Sequence, residues 1–161
     1  MATRSAPTPQ PSPAQLYDED LYTWSLQQAA ALRRAAPLGL NTPEPIDWAN
    51  LAEEIEDLGK EQADKLESAY RVLLWHLLKY RYQPEQRSGS WRATIVEQRR
   101  RIERVLRKNP GLKPQRLELF AEAYADARDL AAAETDVPLA TFPVDCPFSY
   151  EQAVDRDFLP E

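Results

Sequence analysis

One stretch, from Trp48 to about Tyr82, constrains this chain more than any other feature. It holds no proline and one glycine, and its inward stripe reads Leu51, Ile55, Leu58, Gln62, Leu66, Ala69, Leu73, Leu77 and Tyr80. Those steps repeat as four, three and four residues, an eleven-residue period close to that of an unstrained α-helix. The spacing predicts one nearly straight helix, about 50 Å long at 1.5 Å per residue. Asp47 is placed to cap it, with Ile46 and Leu51 as a hydrophobic staple. Gly59 is its weak point, the position at which it can bend.

The two halves of this segment differ. Before Gly59 it is amphipathic, with Glu53, Glu56 and Asp57 off the apolar stripe. After residue 71, Leu74 and Leu78 add apolar side chains on the opposite face and Trp75 fills a flank. A helix apolar nearly all round is packed on several sides, so Val72–Tyr80 is expected at the centre of the fold.

The rest of the chain reads as shorter helices separated by proline. Only 4 glycines occur and β-branched residues are few, an all-helical pattern. A first helix is predicted from Glu19 to about Ala35, capped by Asp18, with Tyr17 and Tyr22 as staple. Leu21, Trp24, Ala31 and Leu32 are its apolar positions, and a linker with Pro37, Gly39, Pro43 and Pro45 ends it. A third helix is predicted from Trp91 to about Lys108, capped by Ser90 and stopped by Asn109-Pro110-Gly111. A fourth starts near Pro114 and runs to about Thr135. Pro138, Pro143 and Pro147 then mark an extended tail, in which Ser149 and Gln152 form a capping box for one short helix. Phe142, Phe148 and Phe158 are expected to pin that tail. Short loops imply antiparallel neighbours. The predicted fold is all-α, a mostly antiparallel four-helix assembly around one long central helix.

Residues 1–16 carry Pro7, Pro9, Pro11 and Pro13 at alternate positions and read as a disordered, extended tail; a proline-rich ligand for a partner is the alternative. Residues 17–161 then form a single helical domain, a usual size for one core. No run approaches the roughly 20 apolar residues of a bilayer crossing, and the first residues lack an apolar signal core. The single cysteine, Cys146, excludes an internal disulfide framework and suits a reducing, cytoplasmic compartment.

Several strings resemble a bacterial family catalogued as domain of unknown function number 29. They include Tyr17-Asp18-Glu19-Asp20-Leu21-Tyr22-Thr23-Trp24, Asn50-Leu51-Ala52-Glu53-Glu54-Ile55-Glu56-Asp57-Leu58-Gly59 and His76-Leu77-Leu78-Lys79-Tyr80-Arg81-Tyr82-Gln83-Pro84. Ser90-Trp91-Arg92, Tyr124-Ala125-Asp126-Ala127-Arg128, Thr141-Phe142-Pro143 and Asp157-Phe158-Leu159-Pro160 extend the similarity across about residues 17–160. The resemblance implies a small, soluble, all-α bacterial protein and no particular activity. The proline-rich start lies outside it.

Charge is unevenly placed within a net −6 that argues against wholesale nucleic-acid affinity. Residues 44–67 carry nine acids against two lysines, residues 79–108 ten basic groups against three acids, and residues 118–161 eleven acids against two arginines. The basic block, with Arg99, Arg100, Arg101 and Arg104, is a candidate grip on phosphates. Antiparallel packing offers the simpler account, pairing Arg104 with Glu118, Arg100 with Glu122 and Arg92 with Asp129. The end of the third helix is likewise expected beside Glu61 and Asp64.

His76, the sole histidine, is predicted inward, with Gln98 within one or two helical turns of it. Tyr80, Tyr124 and Arg128 are placed to join them. Such a set is the candidate ligand site, with His76 as acid, base or ligand. The simpler reading comes first: buried polar groups of this kind satisfy one another and fix helix register. Two Glu-x-x-His pairs of a di-metal bundle are absent, so no metal or other cofactor is predicted. Glu54, Asp57 and Glu61 read as a solvated acidic flank, paired with Arg33 and Arg34, ahead of a hard-cation site. Cys146, before a proline and away from any histidine, is no obvious nucleophile.

Three functional readings follow. The leading one is an interaction or accessory module, non-catalytic, with another protein as partner and a homodimer possible. The second is a small-molecule binder or enzyme using His76, Tyr80, Gln98, Tyr124 and Arg128. Nucleic-acid binding through the third-helix arginines ranks last.

Overall fold

A computed structural model describes residues 10–39, 42 and 44–161. The long segment forms one helix, α3 (Trp48–Tyr82), capped by Asp47, whose side chain accepts from the Asn50 amide at 3.2 Å. α2 (Leu21–Ala35) lies antiparallel along its first half, joining Arg33 to Glu56 by an ion pair. α4 (Gly89–Lys108) and α5 (Arg116–Thr135) pack on its second half. Edge-on contact of Tyr70 with Phe120 (5.5 Å between centroids) sets the α3–α5 seam, and those two helices run parallel.

Leu66, Ala69, Tyr70, Leu73, Leu74, Leu77 and Leu78 have no exposed surface, so the core sits in the second half of α3 as expected. The first half departs from the expected stripe. Leu51 and Leu58 are 41% and 37% exposed, whereas Ala52, Gly59, Ser25 and Ala29 are buried. α2 and α3 meet on small residues, which brings the helices close and leaves the leucines on the flank. Gly59 is therefore a contact rather than a hinge. α3 is helical without interruption through it, and a Cβ there would lie 2.3 Å from Ser25 Oγ and 3.3 Å from the Tyr22 carbonyl oxygen.

The N-terminal boundary also shifts. The expected tail over 1–16 falls mostly on residues 1–9, outside the described residues, as does Pro43 of the linker. Its end is helical instead: α1 (Pro13–Glu19) is started by a Ser12–Gln15 capping box with proline in the first turn. Asp20, not Asp18, then caps α2, because its carboxylate gathers three donors: the Thr23 amide (3.1 Å), the Thr23 hydroxyl (2.8 Å) and the Gly111 amide (2.7 Å). This last bond ties the start of α2 to the turn between α4 and α5. Tyr17 packs edge-on against Trp24 at 4.9 Å rather than serving as a staple. Ser88 replaces Ser90 as the α4 cap, and a 3₁₀ segment, Pro110–Gln115, precedes α5.

Beyond α5 the chain is mostly irregular, with α6 (Tyr150–Val154) capped by Ser149 and Gln152 as expected. Phe142 and Phe148 are buried, against Tyr82 (5.1 Å) and Phe158 (6.0 Å) respectively.

Candidate functional site

The five candidate residues occupy separate surroundings. His76, on α3, donates from Nδ1 to the Val72 carbonyl at 2.9 Å, which leaves Nε2 as its basic nitrogen. Burial lowers its pKa below the ordinary value; the Val72 carbonyl opposes this, Lys79 adds to it and Glu134 opposes it. Tyr80 is buried beneath Arg87, whose guanidinium stands 4.5 Å over the ring and whose Nε donates to the Tyr80 carbonyl at 2.8 Å. Gln98, 7% exposed, has an Oε1 with no hydrogen-bond partner among the described residues. Tyr124 donates to the Pro143 carbonyl at 2.7 Å, and Arg128 donates to the carbonyls of Phe142 (3.0 Å) and Leu139 (3.2 Å). No hydrogen bond links one of the five to another. Only Tyr124 and Arg128 share a task, holding residues 139–143. The reason is architectural: α4 and α5 each pack on α3 rather than on one another, which separates Gln98 from Tyr124 and Arg128.

That task is general. A tail without regular ladders exposes carbonyls that need donors when buried. Arg99, expected within the basic run, is instead buried and donates to the carbonyls of Ala153 (2.8 Å), Arg156 (3.3 Å) and Phe158 (2.7 Å). Burial pulls its pKa below the ordinary arginine value, against the opposing fields of Asp155 and Asp157. Arg87 adds a bond to the Pro160 carbonyl at 3.3 Å. Burial pushes the Tyr124 hydroxyl up to about 12 and also raises the Cys146 thiol, which keeps that sulfur protonated.

A second cluster escaped sequence reasoning. Lys79, 3% exposed, places its ammonium 4.4 Å from the Trp91 ring centroid and 5.3 Å from that of Trp75, and pairs with Glu134 at 2.7 Å. The two tryptophans and one carboxylate thus hold a cation supplied by the fold itself. Its available signal was the four-residue spacing of Trp75 and Lys79. Beside it, a groove of about 440 Å³ runs between α3 and α5, lined by Arg71, Val72, Trp75, Asp126, Asp129 and Leu130. Arg71 and Asp126 stand 3.7 Å apart across it. Among the described residues, no three His, Cys, Asp or Glu side chains are grouped to hold a metal ion.

The expected ionic wiring is also corrected. Arg104–Glu118, Arg100–Glu122 and Arg92–Asp129 do not form, nor does the end of α4 pair with Glu61 or Asp64; α3 stands between α4 and α5. Glu61 pairs with Lys65 at 3.5 Å and Asp57 with Lys60 at 2.7 Å, along α3 itself. Arg100, Arg104, Arg107 and Lys108 are exposed and take part in no ion pair among the described residues.

A family model described as "Domain of unknown function DUF29" matches residues 16–159. Among solved structures, the chain is similar to a 1.45 Å crystal structure of an alpha-helical protein of unknown function from Rhodospirillum rubrum ATCC 11170. That likeness has a TM-score of 0.67 and 26% identity, and covers 88% of this chain and 90% of the other. No curated protein matches.

Proposed function

Since the chain belongs to the family described as domain of unknown function DUF29, which carries no assigned activity, we propose a role from its own surface: a non-catalytic protein-interaction module that docks through the open flank of α3. One observation carries this reading. Leu51, Ile55 and Leu58 share a helix face by their four- and three-residue spacing, and Leu51, Leu58 and the neighbouring Ile46 are 41%, 37% and 39% exposed. These are the side chains that an apolar period marks for burial, yet α2 covers the adjacent face. An apolar row of this kind on a charged helix suits the apolar face of a partner helix. The lack of any hydrogen bond among the five candidate site residues weighs against the catalytic alternative.

The same reading places the protein in the bacterial cytoplasm. Its support is the single cysteine, half-buried and protonated, which suits a reducing compartment, together with the bacterial origin of the structural neighbour. Among the described residues, no helix is long and apolar enough to cross a membrane.

The test is capture of the tagged protein from its native host, with a photo-crosslinking residue at position 58. We expect one stoichiometric protein that survives moderate salt, crosslinks at position 58, and is lost from the L51E/L58E variant. Recovery of the bait alone, or an identical partner on the variant, removes this reading.

A further inference from the structure

We propose that α4 of one copy of this chain docks against α5 of the next, so that the protein assembles head to tail through two complementary charge ladders. The cationic ladder is Arg100, Arg104 and Arg107 on the outward face of α4. The acidic ladder is Glu118, Glu122 and Asp129 on the outward face of α5. All six are exposed, and none takes part in an ion pair among the described residues.

The two ladders share a spacing. Four residues of helix advance about 6 Å, so Arg100–Arg104 and Glu118–Glu122 repeat at the same interval. Arg100–Arg104 can meet Glu118–Glu122 in register, while Arg107 and Asp129 lie outside that four-residue match. α3 holds the two helices apart within one molecule, and the pairs that primary structure suggests cannot close there. A second copy can close them. On α5 the exposed residues beside the acids include the small Ala121 and Ala125, and on α4 the cations share the exposed surface with Ala93, Val96, Glu97 and Glu103. Small residues let two helices approach within the usual 8–10 Å, the separation at which opposed side chains meet.

A polyanion is the other ligand that a row of arginines suits, and it fits this molecule less well. The chain is net −6, and the acidic face of α5 and the acidic first half of α3 flank the same small domain. A second copy brings its own acids at the right interval and carries the same cations onward. With each ladder engaged by a different neighbour the contact is heterologous and generates a ring or an open chain, whereas a two-fold pair would close both ladders at once. The surface is separate from the apolar flank of α3, and so stands or falls apart from the interaction role assigned there.

The test is sedimentation velocity of the full chain across a concentration series at 50 mM and 500 mM salt. We expect concentration-dependent association at 50 mM, weakened at least tenfold at 500 mM as screening shortens the range of the charges. Two charge swaps then name the faces. R100E/R104E has two acidic faces and E118K/E122K two basic ones, so each alone is monomeric. Mixed one to one they associate, because each now carries the complement of the other. All four positions are exposed, and circular dichroism checks that each variant is folded. A wild-type monomer at every concentration overturns the proposal. So does association that survives the swaps, that persists at 500 mM and is abolished by L51E/L58E, or that mixing fails to restore. Salt-dependent binding of a DNA duplex by a monomer, lost in R100E/R104E, would reassign the α4 ladder to a polyanion.

Discussion

The two halves of α3 solve different packing problems with one continuous helix. The second half is wrapped by α4, α5 and the tail, and seven of its side chains from Leu66 to Leu78 lose all contact with solvent. The first half has α2 as its main neighbour and meets it through Ala52 and Gly59, leaving Leu51 and Leu58 at the surface. A wrapped segment derives stability from large side chains. A segment with one close neighbour derives it from small ones, and its large side chains are free for other uses.

The sharpest way to break this contrast is a matched pair of truncations. Leu73→Ala removes a fully buried side chain and should cost about 2–5 kcal/mol by urea denaturation. Leu58→Ala, at a position 37% exposed, should stay within about 0.5 kcal/mol of wild type. Equal losses would mean that the first half is buried after all, and the docking flank would vanish with it.

Next in size is the tail, which rests on the second half of the core. Arg99→Met keeps much of the stem volume but leaves the carbonyls of Ala153, Arg156 and Phe158 without their donor. We expect a loss of about 1–3 kcal/mol, with early hydrogen exchange in the tail. If the amides around Ala153 remain as protected as in wild type, the guanidinium is not what anchors this segment.

Gly59 probes the first half. Alanine is normally better than glycine inside a helix by about 1 kcal/mol. Here the added methyl would crowd Ser25 Oγ, itself bonded to the Tyr22 carbonyl at 2.9 Å, so Gly59→Ala should destabilise by about 1 kcal/mol. In a Ser25→Ala background the same change should become neutral or favourable. Additive effects of the two substitutions would show that α2 does not approach α3 at this point.

Much of this arrangement is legible in the sequence, and the failures share a cause. Helix class, the core at Val72–Tyr80, the tail phenylalanines and the Ser149 capping box all follow from period and local chemistry. Periodicity tells which side chains of α3 align, but not how close a neighbour comes, so it points the leucine row inward and does not mark the Ala52–Gly59 face. Short loops imply the alternating direction of α3, α4 and α5, but not that α3 would stand between the other two. That is why Arg104 and Glu118 read as a pair along the sequence and stand apart in the fold. The candidate cluster failed for the same reason, since helical wheels around different neighbours do not converge on one point. The Asp20–Gly111 bond was beyond reach, because it joins residues 91 apart in sequence through a cap whose position is set by the contact itself.

The smallest expected effect, and the one most specific to the second half, is a pH dependence. His76 is the only histidine, so stability changes between the carboxylate range and neutrality report on it almost alone. Burial lowers its folded-state pKa, whereas the unfolded chain titrates near the ordinary value of about 6.5. On acidification the unfolded state therefore takes up the proton first. Stability present above about pH 6.5 should fall as pH drops toward the lower folded value, with a slope of at most about 1.4 kcal/mol per unit. His76→Gln keeps a donor for the Val72 carbonyl and removes the titration, so its stability should be flat from pH 7 to pH 5.5. Two-dimensional NMR of the ring protons would give the folded pKa directly. A value at or above about 6.5 would mean that the Val72 carbonyl and Glu134 outweigh burial, and that the second half of α3 is less completely wrapped at His76 than at the neighbouring Leu73 and Leu77.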